Sequence, residues 1–320
     1  MRERLTKEQI EAKKLLRVKT KMTRVEKRKK RPSYFGAMID PKGFHPSQIK
    51  FYLILLPVLI VTLLPIIFIV SHAFKPIEDL YAYPPKFFAS YISFDNFRAL
   101  FNATSQTDIP FGRYLFNSII VSAAVIILSL LLSSLAAFAF TYLKFKGKKL
   151  LYAANQLAIM FIAIAVAVPR FMMITYLGIS NTYLAHIIPL LAMPVGVFLL
   201  KQFMEQIPRE LNEAAIIDGA TKWQVFWHVT LPMIKPALAT VAILAFQLVW
   251  NNTETSNLFI VDEALKTLPY YFSTLTLSTS SIAAQGISAA ASLIIFLPNL
   301  ILFIILQKQV MNTMAHSGIK

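Results

Sequence analysis

The chain has 320 residues, of which 56% are hydrophobic and only 15% are charged, and its formal net charge is +16. Soluble domains carry about 25% charged residues, so this composition favours a membrane protein. The sequence has no cysteine, no paired-histidine metal motif and no G-x-x-x-x-G-K-[ST] loop, which excludes thiol chemistry and an ATP site of the P-loop type and leaves nothing that indicates an enzyme.

The first 50 residues form a strongly basic segment. They hold 16 of the 32 Lys and Arg residues and 5 of the 16 acidic residues, a net charge of +11. A run such as KRKKR at 27–31 could serve as a nucleic-acid arm. A cytoplasmic tail that orients the first span explains it better, because each Lys or Arg near anionic headgroups contributes about 1 kcal/mol. We therefore predict a cytoplasmic tail that contacts membrane lipids, and no nucleic-acid partner.

Six apolar stretches follow, and each approaches the roughly 20 residues that a membrane-spanning helix needs. They cover residues 51–72, 114–143, 150–169, 183–200, 236–253 and 287–306. The loops after the second and fourth stretches are rich in Lys and Arg, whereas the turn at 178–182 has neither. Because basic loops stay in the cytoplasm, we predict an all-α polytopic protein with six spans and both termini cytoplasmic. The predicted domains are a tail at 1–50, a membrane domain at 51–310 and a short cytoplasmic tail at 311–320.

A polar, helix-forming segment at 204–235 separates the fourth and fifth stretches. Pro208 suits the first turn of a helix, and Glu210 lies near its positive end. Gly219 is typical of a helix terminus, and Thr221 begins a T-x-x-Q capping box that starts a second short helix. The pattern predicts a cytoplasmic helix–turn–helix with small alanines and an exposed carboxylate, which are features of a docking element for a partner.

The same segment contains a spaced motif. Glu213-Ala214-Ala215 is followed after three residues by Gly219, after nine more by Val229, and then by Leu-Pro at 231–232. This pattern resembles the EAA signature of permease subunits of ATP-binding-cassette (ABC) importers, with Val where Ile is commonest. The string ELNEAAIIDGATKWQVFWHVTLPMIKPAL is similar to the carbohydrate-uptake branch, especially the maltose-type second permease. The resemblance covers roughly residues 50–320.

The resemblance implies the type I importer permease fold and a non-catalytic subunit of a bacterial or archaeal cell membrane. It implies that this chain forms half of a pore for sugars or oligosaccharides with a second permease. Two separate ATPase subunits would use ATP and Mg, no cofactor would bind this chain, and an extracytoplasmic solute-binding protein would deliver the substrate. An importer of peptide, phosphate or polyamine is the nearest alternative. An ion-coupled carrier is disfavoured because the spans contain no carboxylate.

The EAA signature also implies residue roles. Its glutamate pairs with a basic residue in a groove of the ATPase, and its glycine allows the sharp turn. Carried over to this sequence, the docking residues are Glu213, Ala214, Ala215 and Gly219, with Asp218 as a further candidate.

Polar side chains within the spans are the candidates for a translocation path, because they are costly in lipid. They are Gln247, Trp250, Asn251, Asn252 and Arg170. Amides and an indole would suit a sugar, which needs hydrogen-bond partners and an aromatic face. Alternatively, Trp250 belongs to an interfacial aromatic belt, the amides bond to neighbouring helices and Arg170 snorkels to the outer interface.

Two further expectations concern local structure. Pro169 is expected to weaken the third span and bend it at that point. The Ser- and Thr-rich residues 273–288 are expected to form an outer loop, either a solvated connector or a contact surface for the solute-binding protein.

Overall fold

The computed structural model describes residues 49–102, 109–278 and 282–317, and every regular element within these ranges is helical. The all-α prediction is therefore confirmed. The predicted basic tail lies almost entirely outside the described residues, as does the end of the C-terminal tail at 318–320. The chain divides into two units, Met1–Pro65 and Ile66–Lys320.

The helices are named in chain order. They are α1 (Ile49–Ala73), α2 (Ile77–Leu80), α3 (Asp95–Asn102), α4 (Phe111–Tyr142), α5 (Lys148–Met160), α6 (Ala167–Tyr176), α7 (Tyr183–Leu191), α8 (Pro194–Met204), α9 (Arg209–Ile217), α10 (Lys222–Val225), α11 (Leu231–Met233), α12 (Lys235–Trp250), α13 (Glu254–Leu258), α14 (Leu268–Ser278) and α15 (Ile282–Ser317). Short 3₁₀ turns lie at Ala163–Val166 and Glu263–Leu265, and a π-helical turn lies at Phe226–Thr230.

Within the described residues, three helices are long and apolar enough to cross a membrane without a break. They are Phe51–Ala73, Phe111–Tyr142 and Gln285–Gln307. Three bent helix pairs bring the number of candidate spans to as many as six. The six predicted stretches each fall on one of these helices or pairs.

The third predicted span is broken, but not where the sequence suggested. Phe161 and Ile162 are extended (ψ 133° and 134°) and end α5, and the following helical part turns by 112°. Pro169 is instead the third residue of α6, in a first turn where its missing N–H removes no helical hydrogen bond. The predicted bend at Pro169 is therefore wrong in position. The fourth span bends by 43° just before Pro194, because a residue that precedes proline disfavours the helical region.

Helix α4 is central in the second unit and packs against α7, α8 and α12, while α12 also packs against α15. Gly196 of α8 allows its close approach to two neighbours. A Cβ at that position would lie 3.0 Å from Val241 Cγ1 and 3.2 Å from Ser133 Oγ. These contacts connect the helices on either side of the 204–235 segment to one packed core.

The described parts of the Ser- and Thr-rich segment, 273–278 and 282–288, are helical, which corrects the expectation of a loop over these residues. Helix α14 continues to Ser278 and α15 begins at Ile282, with residues 279–281 outside the description. The hydroxyls of Ser273 and Thr274 donate to the carbonyl oxygens of Tyr270 and Tyr271 at 2.7 and 2.8 Å. Hydroxyl-rich sequence is compatible with a helix when its hydroxyls bond to the preceding turn in this way.

Gly286 of α15 makes room for a buried amide. Asn96 Nδ2 donates to the carbonyl oxygens of Ala73 and Lys75 at 3.1 and 2.8 Å, which ties α3 to the end of α1. A Cβ on residue 286 would lie only 2.4 Å from Asn96 Oδ1. Any side chain at this position would therefore displace the anchoring amide.

The variant Gly286→Ala is expected to destabilise the protein although alanine is the better helix former. The overlap with Asn96 should cost about 1–3 kcal/mol, more than the roughly 0.5–1 kcal/mol gained in helix propensity. Thermal unfolding in detergent measures the difference. Gly112→Ala is the matched control, because its Cβ would meet nothing within 4 Å. A Gly286→Ala melting temperature equal to that of Gly112→Ala would contradict the packing argument.

The segment between α1 and α4 holds a buried carboxylate. Asp79, only 6% exposed, accepts hydrogen bonds from the Ser90 backbone N–H at 2.6 Å and from Lys86 Nζ at 2.9 Å. The pKa of Asp79 is lowered to about 2, mainly by the hydrogen bond from the Ser90 N–H and next by the hydrogen bond from the Lys86 ammonium group.

Asp79→Asn is expected to lower the melting temperature near neutral pH, and the deficit should shrink in acid. A carboxylate with a depressed pKa stabilises the fold above its unfolded pKa of about 3.9 and loses that contribution as the pH falls towards 2. Melting curves of wild type and variant between pH 3 and 7 test this. A deficit as large at pH 3 as at pH 7 would show that the ionised carboxylate is not the stabilising group.

Candidate functional site

The first helix of the 204–235 segment ends in a glycine-dependent turn. Gly219 follows α9 with φ +91°, a conformation that residues with a Cβ rarely adopt. Its N–H donates to the Ile216 carbonyl oxygen at 3.0 Å, and the Ala220 N–H donates to the Ala215 carbonyl oxygen at 2.9 Å. These two bonds form a Schellman motif and confirm the prediction that Gly219 terminates the helix.

The second helix begins with the predicted capping box. Thr221 Oγ1 accepts the Gln224 N–H at 3.3 Å, and Gln224 Oε1 accepts the Thr221 N–H at 2.8 Å. Helix α10, the π-helical turn and α11 then run on to α12 through an 81° bend. The predicted helix–turn–helix is thus confirmed, and we call residues 208–233 the hairpin.

One side of the hairpin is packed onto the membrane helices. Val225 and Phe226 are 2% and 1% exposed, and the Phe226 ring makes an edge contact with Phe138 of α4 at 5.3 Å between centroids. Both belong to a buried cluster that also contains residues of α8 and α12. A displacement of the hairpin would therefore be transmitted to three membrane helices, because a close-packed core resists local compression.

A buried polar pair joins the two halves of the hairpin. Thr230 Oγ1 donates to Asn212 Oδ1 at 3.4 Å, and both side chains are buried. The sequence reasoning missed this pair, since neither residue carries a local signal for a contact 18 positions away. The bond holds α9 against the π-helical turn.

The other side of the hairpin is exposed and carries the predicted docking residues. Glu213, Ala214, Asp218 and Gly219 are exposed, and Ala215 is partly buried against the cluster below. Among the described residues, Glu213 forms no ion pair. The structure therefore leaves the unpaired Glu213 carboxylate of α9 and the small residues up to the Gly219 turn accessible to a partner.

Two large apolar side chains on either side of the glycine turn are also exposed. Ile217 is 85% exposed and Trp223 is 58% exposed. A solvated loop seldom presents such side chains together, whereas the centre of a protein interface is enriched in aromatic residues. The sequence signal that could have found them is their position beside the glycine turn, Ile217 two residues before Gly219 and Trp223 four residues after it.

Of the predicted path residues, Arg170 is paired. Its Nη1 lies 3.0 and 3.2 Å from the two carboxylate oxygens of Glu254, and both side chains are partly buried. The pair connects α6 to α13 through two residues that are 84 positions apart in the chain. The sequence analysis put Arg170 near the outer interface but did not pair it with Glu254.

Trp250 has the contacts of a packing residue. It is 6% exposed, stacks on Phe246 at 5.3 Å and donates its indole N–H to the Ile295 carbonyl oxygen of α15 at 3.1 Å. Its proposed place on a substrate path stays a prediction.

The amides at the end of α12 form a short polar stretch. Gln247 and Asn251 are both exposed one turn apart, and Asn251 Nδ2 donates to the Gln247 carbonyl oxygen at 3.0 Å. Asn252 Oδ1 accepts the Thr255 N–H at 3.0 Å and so satisfies one donor in the first turn of α13. Gln247 and Asn251 remain accessible to a solute, whereas Asn252 stabilises the break after α12.

Comparison with known proteins gives a family match over more than half of the chain. The family model described as binding-protein-dependent transport system inner membrane component matches residues 129–310, a range that contains the whole hairpin.

Curated relatives span nearly the same length. The inner membrane ABC transporter permease protein YcjP of Escherichia coli is 30% identical over 276 residues, 86% of this chain and 97% of that protein. The trehalose transport system permease protein SugB of Mycobacterium tuberculosis is 31% identical over 260 residues, 81% of this chain and 92% of that protein.

A solved structure shares the fold. A chain in the crystal structure of a bacterial ABC transporter involved in the import of the acidic polysaccharide alginate superposes with a TM-score of 0.71 at 20% identity. The alignment covers 83% of this chain and 98% of that chain.

Proposed function

The chain belongs to the family of binding-protein-dependent transport system inner membrane components, and from this premise we propose that it imports sugars or oligosaccharides as one permease of an ABC importer. The resemblance seen in the EAA motif is confirmed by the family match and by the curated relatives. A relative named for trehalose transport supports a sugar as substrate. The chain is accordingly a multi-pass protein of the cell membrane.

The observation that carries the proposed mechanism is the two-sided hairpin. Its buried side shares a cluster with α4, α8 and α12, and its exposed side presents Glu213, Gly219 and Trp223. Such an element can transmit the movement of a docked partner into a rigid-body rotation of the spans. We assign the partner as one of two ATPase subunits that close on ATP and Mg.

The proposed topology has six spans and cytoplasmic termini. The three unbroken helices, the bent pairs Lys148–Tyr176 and Tyr183–Met204, and the second half of the third pair, Lys235–Leu258, would supply six crossings. The basic loops after the second and fourth spans support a cytoplasmic hairpin. This arrangement puts the Arg170–Glu254 pair and the polar end of α12 beyond the cytoplasmic half of the membrane. Gln247 and Asn251 are the side chains that we propose to line the path from this subunit.

Reconstituted transport tests the function. The permease would be assembled in proteoliposomes with its partner permease, the ATPase and the solute-binding protein, and uptake of labelled maltose, trehalose and lactose would be compared with that of phosphate, a peptide and spermidine. We expect uptake of at least one sugar that requires both ATP and the binding protein. Uptake of only non-sugar solutes, or sugar uptake driven by an ion gradient without ATP, would contradict the proposal.

A further inference from the structure

A cavity of about 240 Å³ lies where α12, α14 and α15 meet. Its lining has four polar side chains together with an aromatic and a branched apolar side chain, namely Asn251, Thr253, Ser273, Ser292, Phe272 and Ile295. Of these, the sequence singled out only Asn251. Among the described residues, no charged side chain lines this cavity.

In the proposed topology the cavity lies in the outer half of the membrane, because Asn251 and Thr253 are near the outer end of the apolar stretch 236–253. Ser292 and Ile295 are the eighth and eleventh residues of the 23-residue apolar span Gln285–Gln307. The Trp250 indole N–H, bonded to the Ile295 carbonyl oxygen at 3.1 Å, places the neighbouring Asn251 at the same depth. Polar side chains within a span are expensive in lipid and mark solute pathways.

The polar groups of the lining are mostly free to accept hydrogen bonds. Ser273 and Ser292 donate their hydroxyl protons to carbonyl oxygens of their own helices at 2.7 and 2.8 Å, which leaves oxygen lone pairs unused. Asn251 donates through Nδ2, so its Oδ1 is available, and the Thr253 hydroxyl makes no hydrogen bond to any described residue. Acceptors grouped in this way match the hydroxyl donors of a sugar, while the partly buried Ile295 offers an apolar surface to its C–H groups.

We propose that this cavity is a subsite for one neutral sugar ring. Its volume is below the roughly 300–1,000 Å³ of pockets that enclose drug-sized ligands, so a single ring fits and a whole oligosaccharide does not. A uronate or a sugar phosphate is disfavoured, because its anionic group would be desolvated against a lining whose described residues include no cation. The assignment rests on the proposed function and names the substrate class that this part of the path recognises.

Cysteine protection tests the subsite, since the natural chain contains no cysteine. Ser292→Cys would be introduced into the complete importer, and the rate at which N-ethylmaleimide labels this subunit would be measured with and without sugar. The probes are maltose, trehalose and lactose, with glucuronate as the anionic comparison. Ser288→Cys, one turn earlier on α15 and outside the lining, is the matched control.

A neutral sugar that the complex transports is expected to slow labelling at position 292 about tenfold when present at about ten times its Kd. Labelling at position 288 should be unchanged, and glucuronate should protect neither position. If no transported neutral sugar slows N-ethylmaleimide labelling at position 292, the subsite is overturned while the proposed function stays intact. Failure to label 292 in any nucleotide state would also overturn it, since lipid or the partner permease would then cover the cavity. A wild-type complex that transports no sugar would refute the proposed function itself.

Discussion

Reversal of one charge on the hairpin, Glu213→Lys, is expected to abolish substrate-stimulated ATP hydrolysis while the subunit still folds and inserts. Glu213 is exposed and forms no ion pair within the described part of the chain, so its replacement removes no intramolecular contact. In the docked complex, a lysine would instead face the basic groove implied by the EAA resemblance. A like-charge contact at an interface costs several kcal/mol, and each 1.4 kcal/mol is about tenfold in affinity.

ATPase activity per assembled complex, measured with the solute-binding protein and its sugar, tests this prediction. Glu210→Lys is the matched control, because it makes the same charge change on the same helix, also at an exposed position. We expect the Glu210 variant to retain most of its stimulation, with a loss of about 0.3–1 kcal/mol of helix stability from the unfavourable dipole interaction. If the Glu213 variant and wild type have equal substrate-stimulated ATPase activity, Glu213 does not take part in docking.

The second large effect is expected from Gly219→Pro. Proline fixes φ near −65°, whereas residue 219 requires +91°, and proline also lacks the N–H that donates to the Ile216 carbonyl oxygen. The turn between α9 and α10 must then change course, which moves the docking face relative to the cluster that holds it. Substrate-stimulated ATP hydrolysis is expected to fall to the unstimulated level.

Three substitutions at position 219 distinguish an effect of backbone conformation from an effect of side-chain size. A Cβ on residue 219 would meet nothing within 4 Å, so substitutions act through the backbone conformation alone. Gly219→Asn should retain more coupling than Gly219→Val, because asparagine tolerates positive φ and a β-branched side chain does not. If all three variants couple as well as wild type, the turn is not part of the transmission path.

Local signals in the sequence were sufficient to predict the hairpin. Pro208, Gly219 and Thr221 each act within one helical turn of themselves, and the structure contains the first turn, the Schellman motif and the capping box that they indicate. The all-α fold class and the positions of the six apolar stretches could likewise be predicted from the residue composition of short segments. These features depend on neighbours in the chain and can be read without the tertiary structure.

The remaining features depend on contacts between distant segments. The Arg170–Glu254 pair and the approach of Asn96 to Gly286 each join positions that no local pattern relates. The break after Met160 occurs in apolar sequence without a glycine or proline at the break, and the helical 273–278 segment has the composition of a loop. The sequence therefore predicted the candidate docking residues and missed the contacts that hold them in place.

Site-specific cross-linking from the hairpin tests the central claim most directly. Ala214→Cys places a single thiol of this subunit on the exposed face, and a benzophenone maleimide attached there would report its neighbour on illumination. We predict a cross-link to the ATPase subunit, and no reaction of the thiol with a membrane-impermeant maleimide added outside intact cells. Labelling from outside, or a fully assembled and transporting complex in which the hairpin never cross-links to the ATPase, would contradict the account.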